Sequence, residues 1–441
     1  MKGFNAARRR LHVQRPRING AAEALTLPEG ARVTLAGWVT AKREVGGVVF
    51  LLLRDGSGFL QLVAKKPGAA YEQARSVSKE EAILAEGVLR SDARAPGGKE
   101  LVLSSLEVVA HADAWPITPS IVKSAKAYFD LRHLTIRGRR AQAIAKIRSE
   151  LFRLAFEFFT SRGFTYITAP LIVQAAVEGG ATLFKLDYFG KEAYLSQSAQ
   201  FYEEAAICAL EKVFVIQPAF RAEKSRTPKH LTEFWMIEAE MAFATQEDNM
   251  RLQEELVAFL ASQLKERCAE QLRLLGRTFT PPLPPFPRLT YDEARRMAEE
   301  KGVGFPWGED ISAEAERALS SSFQAPFFVT EYPLSARSFY HMTRPDRPEV
   351  TLSADLLAPE GYGEIATGGQ RIHDYETLRQ RIEKLDLPAS SFQWYLELRR
   401  YGMPPHAGFG IGVERLLRWI CGIRNIRYTT LFPRTPARVY P

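Results

Sequence analysis

The sequence contains no run of eighteen apolar residues, which excludes a helix able to cross a bilayer. The basic residues near its start, Arg8, Arg9 and Arg10, are not followed by the apolar segment of a secretory signal. Cysteine is scarce: Cys208, Cys268 and Cys421 stand far apart and never in Cys-x-x-Cys spacing, so neither a zinc site nor a disulfide framework is expected, and a reducing cytoplasm is the expected location. Neither sign of charge dominates strongly; 59 basic against 51 acidic residues give +8, which suits a nucleic-acid partner and equally suits solubility alone. What is present is an ordinary globular composition, 46% hydrophobic and 25% charged, over 441 residues, enough for two or three domains.

Residues 1–25 hold Arg8, Arg9, Arg10, Arg15 and Arg17 with few apolar residues and are expected to form a mobile basic arm. Residues 26–112 change to short β-rich segments, Val33–Val39, Val48–Arg54, Phe59–Ala64, Ala82–Leu89 and Glu100–Ser104, separated by Gly46-Gly47, Asp55-Gly56-Ser57-Gly58 and Pro96-Gly97-Gly98. Five strands with one longer segment near Tyr71–Lys79 between the third and fourth predict an oligonucleotide-binding β-barrel (OB-fold), a fold that stacks single-stranded bases on exposed aromatics. Trp115-Pro116-Ile117-Thr118-Pro119 then breaks regular structure, so a hinge is expected at 113–137, with a second domain over 138–441. In that domain Ile144, Ile147, Leu151, Leu154 and Phe158 recur at helical spacing, predicting an amphipathic helix over 142–161. A long helix is expected over 249–275, ending near Gly276, with the Pro-rich run 281–287 as spacer.

The most informative stretch is Phe214 to Phe243, where two apolar, aromatic-rich runs flank a polar loop, the pattern of an antiparallel hairpin. Arg221 and Glu223 fall at period two on one limb, and Glu233, Glu238 and Glu240 on the other. Ionised groups on a buried sheet cost several kcal/mol each unless paired or bound to ligand, so a charged pocket is expected here. Farther on, Asp355 and Glu364 place two carboxylates nine residues apart before a Gly-rich turn, an oxygen-donor pair of the kind that carries Mg²⁺ with phosphates.

The hairpin's Phe220-Arg221-Ala222-Glu223, its loop, and His230-Leu231-Thr232-Glu233-Phe234 resemble motif 2 of the class II aminoacyl-tRNA synthetases. Gly408-Phe409-Gly410-Ile411-Gly412-Val413-Glu414-Arg415 is similar to motif 3, and Gly163 to Ile172, with Pro170, to motif 1. The resemblance implies an α+β architecture in which the barrel precedes a catalytic domain built on an antiparallel sheet flanked by helices. It implies that Arg221, Glu364 and Arg415 carry catalysis, that Glu223, His230, Leu231, Phe234 and Gly412 join them around ATP, and that Glu364 and Asp355 hold the metal. For the amino acid it implies Glu178, Ser198, Gln200, Glu203, Arg221, Glu238, Thr367 and Arg371. The barrel resembles the anticodon-binding domain of the aspartyl, asparaginyl and lysyl synthetases. By that resemblance Phe50 stacks on an anticodon base, although periodicity alone makes it a core position, and Gln61 and Glu86 bond base edges. A homodimer through motif 1 is implied by family alone.

Aspartyl enzymes carry a Lys three residues after the pocket Gln, where this chain has Glu203, and a carboxylate there would repel aspartate. The return strand Glu233 to Glu238 likewise resembles the asparaginyl branch, which implies that Glu238 accepts from a carboxamide NH₂ while Arg371 donates to its oxygen, and so points to asparagine as substrate. Two departures leave alternatives open. The stretches Ala366 to Arg371, with Thr367 where the asparaginyl pattern has glycine, and Tyr401 to Gly408 look more like archaeal-type aspartyl enzymes. An aspartyl or relaxed enzyme, or a paralogue that forms an amide through an adenylate without charging tRNA, are the alternatives.

Overall fold

The computed structural model describes residues 18–174, 182–224 and 227–441. They divide between Ala125 and Lys126 into two compact units.

In the first unit β1 (Ile18–Asn19), β2 (Arg32–Val45), β3 (Val48–Arg54), β4 (Phe59–Lys65), β5 (Ala82–Ser91) and β6 (Lys99–Ala110) lie in the order β1-β2-β3-β4-β6-β5. Because β5 also pairs with β2, the five longer strands close into a barrel. The helix Ala69–Ser76 falls between β4 and β5, as the pattern predicted. Val39, Leu51, Leu53, Leu60, Leu62, Ile83, Ala85 and Leu101 fill the interior, the inward half of each strand's period-two alternation. Closure brings backbones close: a Cβ on Gly87 would lie 2.1 Å from the Val102 carbonyl oxygen.

Two expectations need correction. The strands expected at Val33–Val39 and Glu100–Ser104 extend to Val45 and Ala110. Ladder pairing with β3 and β5 carries them through the charged residues Lys42, Arg43 and Glu44, where composition alone suggests a loop. The basic arm expected over 1–25 is folded from residue 18 onward. Ile18–Asn19 pairs parallel with β2, and in the helix Ala21–Thr26 Ala21 and Ala24 are fully buried. The Asp55-Gly-Ser-Gly turn supplies the partners, since the Ala21 N–H donates to Asp55 Oδ2 (2.7 Å) and the Ala22 N–H to Ser57 Oγ (3.0 Å), satisfying the orphan donors of the helix start.

The second unit is built on an eight-stranded sheet in which six strands, β14 (Phe327–Thr330), β15 (Ser353–Ala358), β16 (Gly363–Gln370), β17 (His406–Gly412), β12 (Glu233–Ala242) and β11 (Lys212–Phe220), run antiparallel. Short parallel strands β13 (Arg288–Thr290) and β7 (Thr165–Tyr166) flank them. A small sheet of Ile172–Val173, Lys185–Tyr188 and Lys191–Leu195 stands apart from it. The helix predicted over 142–161 spans Arg139–Ser161, with Ile144, Ile147, Leu151, Leu154 and Phe158 buried as the 3.6-residue period requires. It packs with the helix Gln246–Arg267 in one core that also takes Ile237, Ala239 and Met241 of β12. The intervening residues Met236, Glu238 and Glu240 therefore face the other way. The single helix expected over 249–275 is two, Gln246–Arg267 and Ala269–Leu275, broken at Cys268, with Gly276 in left-handed conformation (φ 74°) closing the second. The segment expected as a hinge, 113–137, holds three short helices, Pro119–Lys123, Ala125–Asp130 and Arg132–Thr135. The buried Arg132 guanidinium donates to the carbonyls of Thr430 (3.1 Å) and Leu431 (2.6 Å). Among the described residues no helix is long and apolar enough to cross a membrane.

Candidate active site

The charged face of the large sheet floors a cavity of about 270 Å³. Register explains which side chains reach it. In the hairpin β11–β12, Val215 pairs with Glu238 and Val213 with Glu240, and alternation directs both carboxylates away from the helical core. β17 lies beside β12 with Gly410 opposite Glu238 and Gly408 opposite Glu240. A Cβ on Gly408 would stand 1.9 Å from Glu240 Oε2 and one on Gly410 2.6 Å from the Met236 methyl, so the glycines clear the floor. On β16, Glu364 and Thr367 are three apart and would face opposite sides. A register shift, with Leu356 opposite Ala366 but Leu357 opposite Glu364, leaves Ile365 unpaired and brings both onto the cavity.

Arg221, Glu364 and Arg415 converge there. Arg415 Nη1 donates to Glu364 Oε1 (2.5 Å), and the Arg221 guanidinium lies 5.7 Å from the Phe234 ring centroid and 3.9 Å from Glu223. Strand β11 ends at Phe220, so Arg221 and Glu223 sit in the loop and not on a shared strand face. Only the Arg221 N–H, donating to the Thr232 carbonyl (3.0 Å), prolongs the ladder. Burial pushes the Glu364 carboxyl up, but Arg415, Lys229 and Arg221 outweigh it and hold it at about 2. Burial lowers the His230 imidazole to about 4, helped by Arg415 and Lys229, so it is neutral at pH 7; its Nδ1 lies 2.6 Å from Thr227 Oγ1. Leu231 and Gly412 complete this wall.

Asp355, opposite Thr367 across the ladder, is buried beside the cavity. Thr367 Oγ1 is 2.8 Å from Asp355 Oδ1 and 3.2 Å from Glu364 Oε1, and its single proton serves one of them at a time. Burial raises the Asp355 carboxyl to about 6 against the opposing charge of Arg337, which bonds it at 2.5 Å. Two carboxylates joined by a hydroxyl, with Asp310 also lining the cavity, are the hard-oxygen donors that Mg²⁺ takes.

Ser198, Gln200, Glu203, Glu238 and Arg371 line the same cavity. Glu238 accepts from Ser198 Oγ and from the Ala199 N–H (2.9 Å), tying the start of the helix Gln200–Leu210 to β12. Arg371 forms a two-point pair with Glu240, Nε to Oε1 and Nη2 to Oε2, both 3.1 Å. Glu203 is fully buried, and its Oε1 has no hydrogen-bond partner among the described residues. Burial, then the nearby Glu238 and Glu240, pushes its carboxyl well above the ordinary range, only partly opposed by Arg371. That shift favours the neutral acid, against the expectation that it repels aspartate as a carboxylate. Beneath, Glu204, Glu240 and His406 bring ligand atoms within 4.8 Å of one another. Their donor capacity is already used: Glu204 accepts from Tyr395 (2.8 Å), Gln200 Nε2 (3.0 Å) and Arg399, and lies 3.0 Å from His406 Nε2, while Glu240 holds Arg371. It is a charge-balanced foundation and not a metal centre.

Glu178 lies outside the described residues. Lys229, Glu316, Asp310, Arg337, Tyr340 and His341 were not singled out from sequence. Lys229 pairs with Glu316, which also accepts from the Glu364 N–H (2.5 Å). The polar run around Lys229 was a usable signal; for Glu316, within an ordinary amphipathic helix, there was none.

In the barrel, Phe50 and Gln61 are half-buried on adjacent strands, Phe50 opposite Val63 and Gln61 opposite Leu52. Phe50 alternates with the interior residues Val49 and Leu51 and is not a core position. Gln61 Nε2 donates to the buried Glu100 (2.8 Å), which leaves its amide oxygen to accept. Glu86 is not brought to them. It pairs with Thr34, nine positions along β2 from Arg43, the partner of Phe50, and lines a separate groove with Gln73 and Ser105.

Residues 124–436 match the family profile described as tRNA synthetases class II (D, K and N), and residues 33–109 match the OB-fold nucleic acid binding domain. An asparagine--tRNA ligase of Thermococcus kodakarensis is 46% identical over 419 residues, covering 94% of this chain and 97% of its own. The crystal structure of asparaginyl-tRNA synthetase from Pyrococcus horikoshii complexed with asparaginyl-adenylate superposes with a TM-score of 0.92 at 43% identity, over 97% of this chain and all of the other. A putative aspartyl-tRNA synthetase from Leishmania major also superposes well (TM-score 0.85), at 25% identity over 97% of this chain and 96% of its own, so fold alone does not separate the two substrates.

Proposed function

Because the chain belongs to the class II tRNA synthetases of the D, K and N group, we propose that it ligates asparagine to tRNA through an asparaginyl-adenylate made from ATP. The observation that carries this reading is the convergence of Arg221, Glu364 and Arg415 in one cavity with Glu238 and Arg371. In the first step an oxygen of the amino-acid carboxylate attacks the α-phosphorus of ATP, forming the mixed anhydride as the bond to pyrophosphate breaks. Two anions must approach, so fixed cations matter more than an acid or a base. Arg221 takes the α-phosphate with guanidinium geometry; Arg415 and Lys229 serve the rest of the triphosphate; Phe234 offers a face to the adenine; and neutral His230 contacts the nucleotide without adding charge. Glu364 and Asp355 would hold Mg²⁺, which when bound neutralises phosphate charge. In the second step a terminal ribose hydroxyl of the tRNA attacks the activated carbonyl and AMP leaves.

For the side chain, Arg371 donates to the carboxamide oxygen and Glu238 accepts from its NH₂. Two acceptor directions of Glu238 are already engaged, and aspartate would set a second carboxyl group against it. With the Glu203 carboxyl shifted toward the neutral acid, exclusion of aspartate rests on Glu238 and on the missing cation at position 203. Phe50 and Gln61 meet anticodon bases through stacking and hydrogen bonding. Exposed Phe156, Tyr166 and Ile172 on the motif 1 elements suit a homodimer. The test is pyrophosphate exchange into ATP with purified protein. Exchange with asparagine and charging of a tRNA bearing the GUU anticodon are expected. Exchange with aspartate alone overturns the substrate, and exchange without charging overturns the synthetase in favour of an adenylate-forming paralogue.

A further inference from the structure

Arg371 is held on more than one side, and the partner opposite Glu240 belongs to a segment that no motif marked. Residue 341 pairs with 371 in an isolated antiparallel bridge, flanked by the Met342 N–H donating to the Gln370 carbonyl and the Ile372 N–H to that of Tyr340, both 2.9 Å. Direct cross-strand partners present their side chains on one face, and here His341 Nε2 lies 3.4 Å from Arg371 Nη1. The other ring nitrogen, Nδ1, is 3.4 Å from the Ser338 carbonyl oxygen, which can only accept. Nδ1 therefore carries the proton and Nε2 offers a lone pair to the guanidinium. Room for the ring is built in: a Cβ on Gly369 would stand 2.5 Å from His341 Cδ2 and 2.9 Å from Nε2. Burial and the charge of Arg371 keep the imidazole neutral, and the Tyr340 ring centroid lies 5.5 Å from the guanidinium carbon.

We propose that His341 is a positioning residue for amino-acid selection: it holds Nη1 of Arg371, while Glu240 holds the other edge, so that one of the two remaining N–H groups meets the side-chain oxygen of the bound amino acid. The proposal rests on the reading that Arg371 contacts the substrate side chain. Because the main-chain bridge is independent of the ring, replacing the side chain leaves the pairing in place.

The test is pyrophosphate exchange by the full chain and its His341→Ala and His341→Gln variants, with Tm recorded for each. His341→Ala is expected to raise KM for asparagine about tenfold and to narrow the preference over aspartate, with KM for ATP and kcat within about twofold. His341→Gln, whose amide oxygen can accept from Nη1, is expected to restore KM to within about threefold of the wild type. Wild-type exchange with aspartate alone would sink the substrate assignment. A KM for whichever amino acid is used that His341→Ala leaves unchanged would sink the positioning role. Equal rises in KM for ATP and amino acid with a fallen Tm, and no recovery in His341→Gln, would likewise show that the ring only supports the fold.

Discussion

Replacing Glu203 by glutamine separates two accounts of how aspartate is kept out. If the side chain were ionised, a unit charge about 6 Å from the substrate carboxylate at an effective dielectric constant of about 20 would disfavour aspartate by about 3 kcal/mol, a factor of roughly 100. Glu203→Gln keeps the shape and would abolish that factor. Burial instead favours the neutral acid at Glu203, whose Oε1 has no hydrogen-bond partner among the described residues. The variant should then change the asparagine-to-aspartate ratio of kcat/KM by less than about threefold, read by pyrophosphate exchange with each amino acid at saturating ATP. A hundredfold gain for aspartate would refute the reasoning.

The same variant gives a second readout in stability. The folded-state carboxyl titrates above its unfolded value, so folding takes up a proton once pH rises past the unfolded value. Its contribution is fully present below the unfolded value and is lost as pH rises toward the folded one, at about 1.4 kcal/mol per pH unit. Glutamine carries no such dependence. The Tm of Glu203→Gln should therefore gain on that of the wild type as pH rises above the unfolded value, by at most about 2 °C per unit. Parallel curves would mean that Glu203 is ionised in the folded protein.

Glu364→Gln should lower pyrophosphate exchange at least about a hundredfold and also lower Tm, because the carboxylate that Arg415, Lys229 and Arg221 face would lose its charge. Phe50→Ala should raise KM for tRNA about tenfold through lost stacking while exchange stays within about twofold; loss of exchange would contradict the division of labour between the two units. Gly408→Ala should destabilise the synthetase unit by about 3 kcal/mol, since its Cβ would fall 1.9 Å from Glu240 Oε2 and 2.5 Å from the Ala239 carbonyl, and thermal unfolding that matches the wild type would disprove the close packing.

The hairpin, the Gly-rich strand and the barrel were legible because each has a local signature: period-two alternation, turn glycines, and charges where a structural sheet has none. The amphipathic helix was legible for the same kind of reason, five apolar residues on one stripe. Strand ends were not, because ladder pairing carried β2 and β6 through charged residues that composition places in loops. The orientation of Glu364 depends on a register shift at Ile365, which no single strand announces. Ionisation was also hidden. Glu203, Glu204, Glu238 and Glu240 read alike as acids, yet burial pushes the Glu203 carboxyl up while Arg399 and His406 hold that of Glu204 down, and both shifts depend on neighbours far apart in the chain.

Those neighbours give the site two kinds of ion pair. Around the proposed nucleotide site they are partly open: Arg415–Glu364 and Arg221–Glu223 keep a fifth to a third of each side chain exposed. Water can replace a lost partner there, so exchanging a carboxylate for a phosphate costs little beyond screening. Beneath the proposed amino-acid pocket, Arg371–Glu240 and Arg399–Glu204 are almost wholly buried, and breaking such a pair without replacement costs several kcal/mol. An ATP that pulls Arg415 from Glu364 meets a yielding site, whereas a side chain that asked Arg371 to leave Glu240 would not be accommodated. Selectivity follows from that contrast. The guanidinium keeps its charge compensated from within, so it can offer one hydrogen bond to a neutral carboxamide but not the uncompensated cation that a carboxylate requires.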